Sequence, residues 1–485
     1  MPRLLLALCL FALSPLLSAS AAKPNILYIL ADDLGYGDVY CLNPQRGKIA
    51  TPHLDRLAAQ GMTFTDAHSG SSVCTPTRYG LLTGRYAWRT RLQSGVLDGG
   101  NDEPLIAADR LTVAGFLKQQ GYSTACIGKW HLGFQSDANV EKAKGRAGLP
   151  VGTRIIGGPT TRGFDLYFGC SNARTMSSLI ENDRVIEQIE TIDMLPRLGA
   201  RAVSHLAACA KSDAPFFLYL PLTSPHTPIV PSAAWKGKSG LGDYADFVMQ
   251  TDAIVGDVLA ALDQHGQAEN TLVFFTSDNG CSPAAKTKEL EKSGHFASAG
   301  FRGYKADIWD GGHRVPFFVR WPGKIAAGSK SAQTICHTDF LATCAAVLDA
   351  KLPENAAEDS VSLLPALLGK NNAPLHEHVV HHSISGRFAI RQGNWKLAFC
   401  PGSGGWGKPG DADAAKQGLP AVQLHDLSTD PAETTNLHEK HPEIVQRLTK
   451  LLNDIIANGR STPGAPQTND APVIVAKPNA KAAKE

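Results

Sequence analysis

Short, unbroken apolar runs alternate with helix-length amphipathic segments along most of this chain, and that alternation leaves few architectures open. Asn25 to Leu30, Ser123 to Ile127, Phe216 to Leu222, Thr271 to Thr276 and Pro316 to Trp321 read as buried strands. Between them, Thr51-Pro52 sets a capping residue before a proline at the first helical position. Val248, Val255, Leu259 and Leu262 recur at helical spacing. Strands alternating with helices predict an α/β domain built on a large mixed, mostly parallel sheet flanked by helices.

From about residue 375 the texture changes. Phe388 to Arg391 and Trp395 to Phe399 look like short strands paired across Gln392-Gly393-Asn394, and Ile444, Leu448, Leu451, Leu452 and Ile455 mark one last helix. Residues 375–460 are therefore expected to form a small C-terminal α+β subdomain on a main domain of residues 23–374. Residues 461–485, rich in Pro, Ala, Asn and Lys, read as a disordered tail.

Residues 1–22 read as an export signal. Arg3 supplies the positive start, Leu4 to Leu17 an apolar stretch, and Ala19-Ser20-Ala21 a small-residue cleavage site. The stretch is shorter than the roughly 20 residues a membrane-spanning helix needs. An exported protein, periplasmic or extracellular, with no stable membrane span is expected. A formal charge of +2 without a dense basic run gives no footing for nucleic acid. The 10 cysteines show no CxxC pair, which argues against a zinc ribbon or a dense disulfide scaffold.

The unusual polar residues stand just after the apolar runs: Asp32 and Asp33, Lys129 and His131, His226, and Asp278 and Asn279. In open α/β sheets ligands bind beyond the carboxyl ends of the strands, so parallel strands would gather these residues on one edge. Each pair alone is an ordinary turn or cap signal. Together, three carboxylates and an amide oxygen make a hard, all-oxygen site suited to calcium or magnesium. With Arg78 and Lys305 added, cations surround it, which points to a tetrahedral oxyanion, sulfate or phosphate. Thr75-Pro76 reads as a helix start, which would place Cys74 at a helix N-terminus, where free N–H groups favour anions. A buried structural cysteine is the plainer alternative for that position.

Cys74-Thr75-Pro76-Thr77-Arg78, continued by Leu82-Thr83-Gly84-Arg85, resembles the Cys-x-Pro-x-Arg signature of the type I, formylglycine-dependent sulfatases. Gly128-Lys129-Trp130-His131-Leu132-Gly133, Ser224-Pro225-His226, Ser277-Asp278-Asn279-Gly280 and Lys305 ahead of Trp309-Asp310-Gly311-Gly312-His313-Arg314 follow in that family's order. The likeness runs from about Lys23 to Leu437 and is nearest the arylsulfatase A-like branch. It implies an alkaline-phosphatase-like fold and hydrolysis of a sulfate ester, with a sulfated carbohydrate the expected substrate. It implies that a maturation enzyme converts Cys74 to Cα-formylglycine. It implies that Asp32, Asp33, Asp278, Asn279 and residue 74 hold a calcium ion, calcium being expected over magnesium. Arg78 and Lys129 would hold the formylglycine hydrate, His131 would deprotonate it, and His226 and Lys305 would bind sulfate, with His226 the acid for the leaving oxygen.

Two other readings stay open at this level. One is a phosphate-ester hydrolase of the related fold. The other is an inactive binder of sulfated glycans. His295, His313 and the run His376, His378, His381 and His382 invite a metal assignment, but the run lacks HExxH spacing and reads as a surface or strand feature near the subdomain boundary. Asp426 to Pro431 and Asn436-Leu437 read as structural.

Overall fold

The computed structural model describes residues 23–98, 102–137, 148–173, 176–370 and 373–477. The export signal lies outside them. Ten strands form one sheet: β1 (Asn25–Asp32), β2 (Met62–His68), β3 (Ser123–Lys129), β6 (Leu166–Cys170), β7 (Ser178–Glu181), β8 (Arg184–Gln188), β9 (Phe216–Pro225), β10 (Thr271–Ser277), β11 (Phe317–Arg320) and β12 (Ser329–Cys336). A two-stranded ribbon, β4 (Gln135–Ser136) and β5 (Ile155–Ile156), stands apart. The order across the sheet is β12-β2-β11-β10-β1-β9-β3-β6-β7-β8. The centre, β10-β1-β9-β3-β6, is parallel throughout. β11 runs antiparallel to both its neighbours, so the run Pro316 to Trp321 is a strand but not one of the parallel set. Orientation is a property of the connection, not of the apolar run.

β1 shows why this sheet lies inside the molecule. Ile26, Tyr28 and Leu30 face one core layer, and Leu27, Ile29 and Ala31 the other. The first layer is closed by helices α2 (Cys74–Thr83) and α3 (Val113–Gln119), through Leu81, Leu82, Val113 and Leu117. The second is closed by α1 (Pro52–Gln60), α4 (Thr191–Cys209) and α5 (Asp243–Gln264), through Leu54, Leu198 and Leu259. An unbroken apolar strand needs helices on both faces, and this one has them. Gly128 permits the close packing of β3 on β9: a Cβ there would sit 1.9 Å from the Pro221 carbonyl oxygen.

The C-terminal subdomain is an antiparallel sheet, β13 (Val379–His382), β14 (Phe388–Gln392), β15 (Trp395–Ala398) and β16 (Gln423–Asp426), under the helix Pro442–Ala457. Ile444, Leu448, Leu452 and Ile455 form that helix's buried stripe. Asn436 braces the edge strand β16, accepting from Leu424 N (2.9 Å) and donating to Val422 O (2.9 Å).

The expected disordered tail needs correction over residues 461–477. Asp470 pairs with Arg85 (2.9 Å) and its N–H donates to Arg89 O (2.7 Å), while Val473 and Val475 pack on the subdomain core. Composition misled here because the segment builds no core of its own and borrows one. Residues 478–485 lie outside the described residues.

Arg89 is also gripped from the main domain. Asp359 accepts from its Nη2 (2.7 Å) and Nε (2.8 Å), with both side chains fully buried. Burial pushes the Asp359 carboxyl up, but the Arg89 guanidinium more than offsets this and holds it below the usual value. Asp359→Asn strands a buried cation, so a loss of about 3–5 kcal/mol is expected. With the folded pKa depressed, this contribution is intact above the ordinary Asp value near about 3.9 and disappears as pH falls through it toward the folded value. Thermal melts should show a wide gap between wild type and Asp359→Asn at neutral pH that narrows in acid. An equal gap at both would contradict this assignment.

Candidate active site

The carboxyl ends of β1, β3, β9 and β10 share one edge because these strands are parallel. They deliver Asp32 and Asp33, Lys129, His226, and Asp278 and Asn279 there, as the sequence suggests. Asp33 (φ 66°) and His131 (φ 54°) sit in the left-handed region, which turns the chain sharply beyond β1 and β3. Lys129, Trp130 and His131 are all buried, so this is no solvated loop.

Two linked clusters result. In one, Lys129 Nζ donates to Asp32 Oδ2 at 2.6 Å. Arg78, rising from α2, donates to Asp278 Oδ2 (2.8 Å) and to Lys129 O (2.9 Å), and lies 3.5 Å from Asp32. In the other, Lys305 Nζ lies 3.1 Å from Asp33 Oδ2 and 2.9 Å from His226 Nε2. Asn279 Nδ2 donates to Asp33 Oδ1 (2.7 Å), and Asp33 N donates to Asp278 Oδ1 (3.2 Å), which joins the clusters.

Cys74 begins α2 and is fully buried. Burial pushes its thiol up to about 12, although Lys129 and Lys305 pull the other way. A thiolate nucleophile is therefore out of reach near neutrality. His131 donates from Nε2 to Leu97 O (2.8 Å), while its buried Nδ1 has no hydrogen-bond partner. Burial, then Lys129 and Arg78, hold the imidazole well below its ordinary value, so it is neutral with a free lone pair.

The oxygens fit a hard cation. Asp32 Oδ1 and Asn279 Oδ1 are buried without a hydrogen-bond partner, a costly arrangement unless something positive meets them. Asp32 resists burial and stays well below the carboxylate range because of Lys129, His226 and Arg78. Asp278 goes the other way, raised to about 7 by burial and by Asp32. A second carboxylate charge there wants a further cation, which a divalent ion among Asp32, Asp33, Asp278 and Asn279 would supply.

Several of the other histidines have structural partners, whereas the ring nitrogens of His378 and His382 are buried without a hydrogen-bond partner among the described residues. His295 Nε2 bonds Asp38 Oδ1 (2.8 Å), and Asp38 also accepts from Tyr244 and Gly35 N, bracing the loop beyond Asp33. His376 is ion-paired to Asp339 (2.7 Å). His381 and His382 lie buried on β13, so the surface reading fails for them and the strand reading holds. His68, His313 and His381 come within metal-binding reach of one another. However, the rings of His313 and His381 stack at 4.0 Å and 13°. A metal binds in the plane of an imidazole, and one ion cannot lie in two stacked planes. Asp66 at 2.9 Å from His68, and Lys396 at 3.1 Å from His313, instead make this a buried polar network between the two sheets. The described cysteines are all free.

Sequence reasoning did not reach the Leu97 carbonyl, which orients His131, or the Asp38 brace. Neither leaves a residue-type signal, since one is main chain and the other depends on residues far apart in sequence.

Buried cations facing carboxylates beyond the parallel centre of the sheet make a pocket chemically suited to a tetrahedral oxyanion, and the likeness to solved structures gives the sheet order as the alkaline-phosphatase-like fold. The sulfatase family model matches residues 24–350. N-acetylgalactosamine-6-O-sulfatase of Bacteroides thetaiotaomicron is 32% identical over 502 residues, covering 90% of this chain and 94% of that protein. Arylsulfatase A of Homo sapiens is 35% identical over 460 residues, covering 89% and 88%. A solved Bacteroides thetaiotaomicron structure from work on glycosaminoglycan metabolism aligns with a TM-score of 0.79 at 31% identity, covering 90% of this chain and 99% of that one. The chain belongs to the sulfatase family, in its arylsulfatase A-like branch, and is a sulfuric ester hydrolase. No helix among the described residues is long and apolar enough to cross a membrane.

Proposed function

We propose that this sulfatase removes sulfate from a carbohydrate ester, with residue 74 acting as Cα-formylglycine and calcium held by Asp32, Asp33, Asp278 and Asn279. The observation that carries this reading is the ring of buried cationic and imidazole groups, Arg78, Lys129, Lys305 and His226, closed around partnerless buried oxygens beside a cysteine too well buried to ionise. The carbohydrate assignment is supported by the N-acetylgalactosamine-6-O-sulfatase relative. It is also supported by the likeness, at TM-score 0.73 and 25% identity, to Ps i-CgsB, solved with k-i-k-neocarrahexaose.

When bound, calcium would supply Lewis-acid polarisation of the ester oxygens. The hydrated aldehyde would offer two hydroxyls on one carbon, so that a sulfuryl group taken on one oxygen leaves as sulfate when the other is deprotonated. The chain's own groups fit the remaining work. Lys129 stays cationic in its buried site because Asp32 outweighs the cost of burial, so it can hold an oxyanion. Neutral His131, its Nε2–H committed to Leu97 O, keeps Nδ1 free to take the hydroxyl proton. His226 donates from Nδ1 to Thr227 O, leaving Nε2 beside Lys305. With Nε2 accepting from that ammonium, the pair could hand a proton from Lys305 through Nε2 to the leaving oxygen. Export through the leader 1–22 would bring the enzyme to polysaccharide outside the cell.

The test is release of inorganic sulfate from a panel of sulfated mono- and oligosaccharides, alongside 4-nitrophenyl sulfate. Turnover of at least one saccharide sulfate faster than the aryl ester is expected. Turnover of the aryl ester alone would reject the carbohydrate assignment while leaving the sulfatase intact.

A further inference from the structure

We infer that the indole of Trp406 is the wall against which the ring of the leaving alcohol stacks. This rests on the reading above for the position of the sulfate.

Trp406 belongs to the C-terminal subdomain, in the loop Pro401 to Pro409, yet that loop is docked on the main domain beside Lys305. Ile308 N donates to Ser403 O (2.8 Å) and Gly407 N to Asp307 Oδ1 (2.7 Å). The glycines on either side of the tryptophan make the docking possible. A Cβ on Gly405 would meet Ala306 O at 2.2 Å, and one on Gly407 would meet Asp307 Oδ2 at 2.5 Å. The loop backbone therefore lies directly on the Ala306 backbone and the Asp307 carboxylate, which fixes the indole relative to Lys305.

Its location is specific. Lys305 Nζ lies 5.9 Å from the indole centroid, and the same ammonium lies 2.9 Å from His226 Nε2. His226 is the group that meets the leaving oxygen, so the indole stands on the leaving-group side of the sulfate. Beneath it, Val73, Ala306 and Ile384 form a small apolar cluster, and Val73 directly precedes Cys74. Trp406 is only half-buried, so part of the ring remains open where nearly everything else at the site is closed. An aromatic ring with a cation over it suits a sugar-like ring that carries C–H groups on its faces and hydroxyls on its rim. The neighbouring Lys305 would hold the sulfuryl oxygens and the indole would hold the ring they are attached to.

The experiment uses whichever ring sulfate the full-length protein turns over fastest in the panel above, with Trp406→Ala and Trp406→Phe, and with inorganic sulfate as a competing product. Trp406→Ala is expected to raise KM about tenfold or more, and Trp406→Phe to recover most of that loss. The inhibition constant for inorganic sulfate should stay within about twofold in both variants, because sulfate alone does not reach the indole. An unchanged KM in Trp406→Ala overturns the assignment. So does a parallel rise in KM and in the sulfate inhibition constant, which would mark a displaced Lys305. Should Trp406→Ala not fold, Trp406→Leu, which fills the space without an aromatic face, must show the same tenfold rise. Turnover of the aryl ester alone would count against the carbohydrate reading but still allow the indole to be tested on that ring.

Discussion

Cys74→Ala should reduce sulfate release by about 10⁴–10⁶-fold, to background, as expected for loss of a nucleophile that acts as a unit with its neighbours. Cys74→Ser should fare little better, because a serine offers one hydroxyl where the proposed hydrate offers two. Neither variant should unfold. The Cys74 side chain hydrogen-bonds to nothing among the described residues, and a change from Cys to Ala or Ser is small. The accompanying measurement is peptide mass spectrometry of protein from its native host, where the segment containing residue 74 should carry an aldehyde in place of the CH2–SH group. A native, active protein with an unmodified thiol at position 74 would falsify the central mechanism, since that thiol ionises only near about 12.

Removing Asp32 should cost both activity and stability. Asp32 meets Lys129 at 2.6 Å and Arg78 at 3.5 Å, all three fully buried. Asp32→Ala leaves those cations short of a partner, a loss of about 3–5 kcal/mol. It also removes a proposed calcium ligand, and turnover should fall at least about 10³-fold. A chelator provides the independent arm. Wild type stripped of divalent ions should lose activity and melt earlier, and calcium should restore both, the stabilisation reaching about 2.7 kcal/mol at a hundredfold excess over the dissociation constant. Asp32→Ala should melt at the same temperature with or without calcium. Restoration by magnesium but not calcium would refute the choice of ion, and indifference to both would refute the metal.

Much of this site is legible from the chain because one physical rule concentrates it. Parallel strands end on one edge, so Asp32, Lys129, His226 and Asp278 could be assigned to a common place before any coordinates. The Cys74 segment was legible through its likeness to a known signature. Other features leave no such trace. β2 interleaves Thr63, Thr65 and Asp66 with its apolar residues and β12 is polar over most of its length, so neither reads as an apolar run. The direction of β11 depends on how the chain returns to the sheet. The network of His68, His313 and His381 joins residues from β2, the short helix Asp310–His313 before β11, and β13, with no shared spacing. Trp406 lies in a glycine-rich stretch that composition marks as a plain loop, and only its docking beside Lys305 gives it a role.

The burial of the whole segment from Cys74 to Arg78 has a consequence for the order of events in the life of the chain. All five residues lie within the first turn and a half of α2, under the closed sheet edge, and no enzyme could read them there. If residue 74 is matured as proposed, its oxidation has to win a race against folding. A chain that closed first would then be sealed as a thiol form, correctly folded and beyond later repair unless it opened again. On that reading the active fraction of a preparation would be set by the relative speed of two processes during synthesis, and two batches with identical melting curves could differ in activity by any ratio.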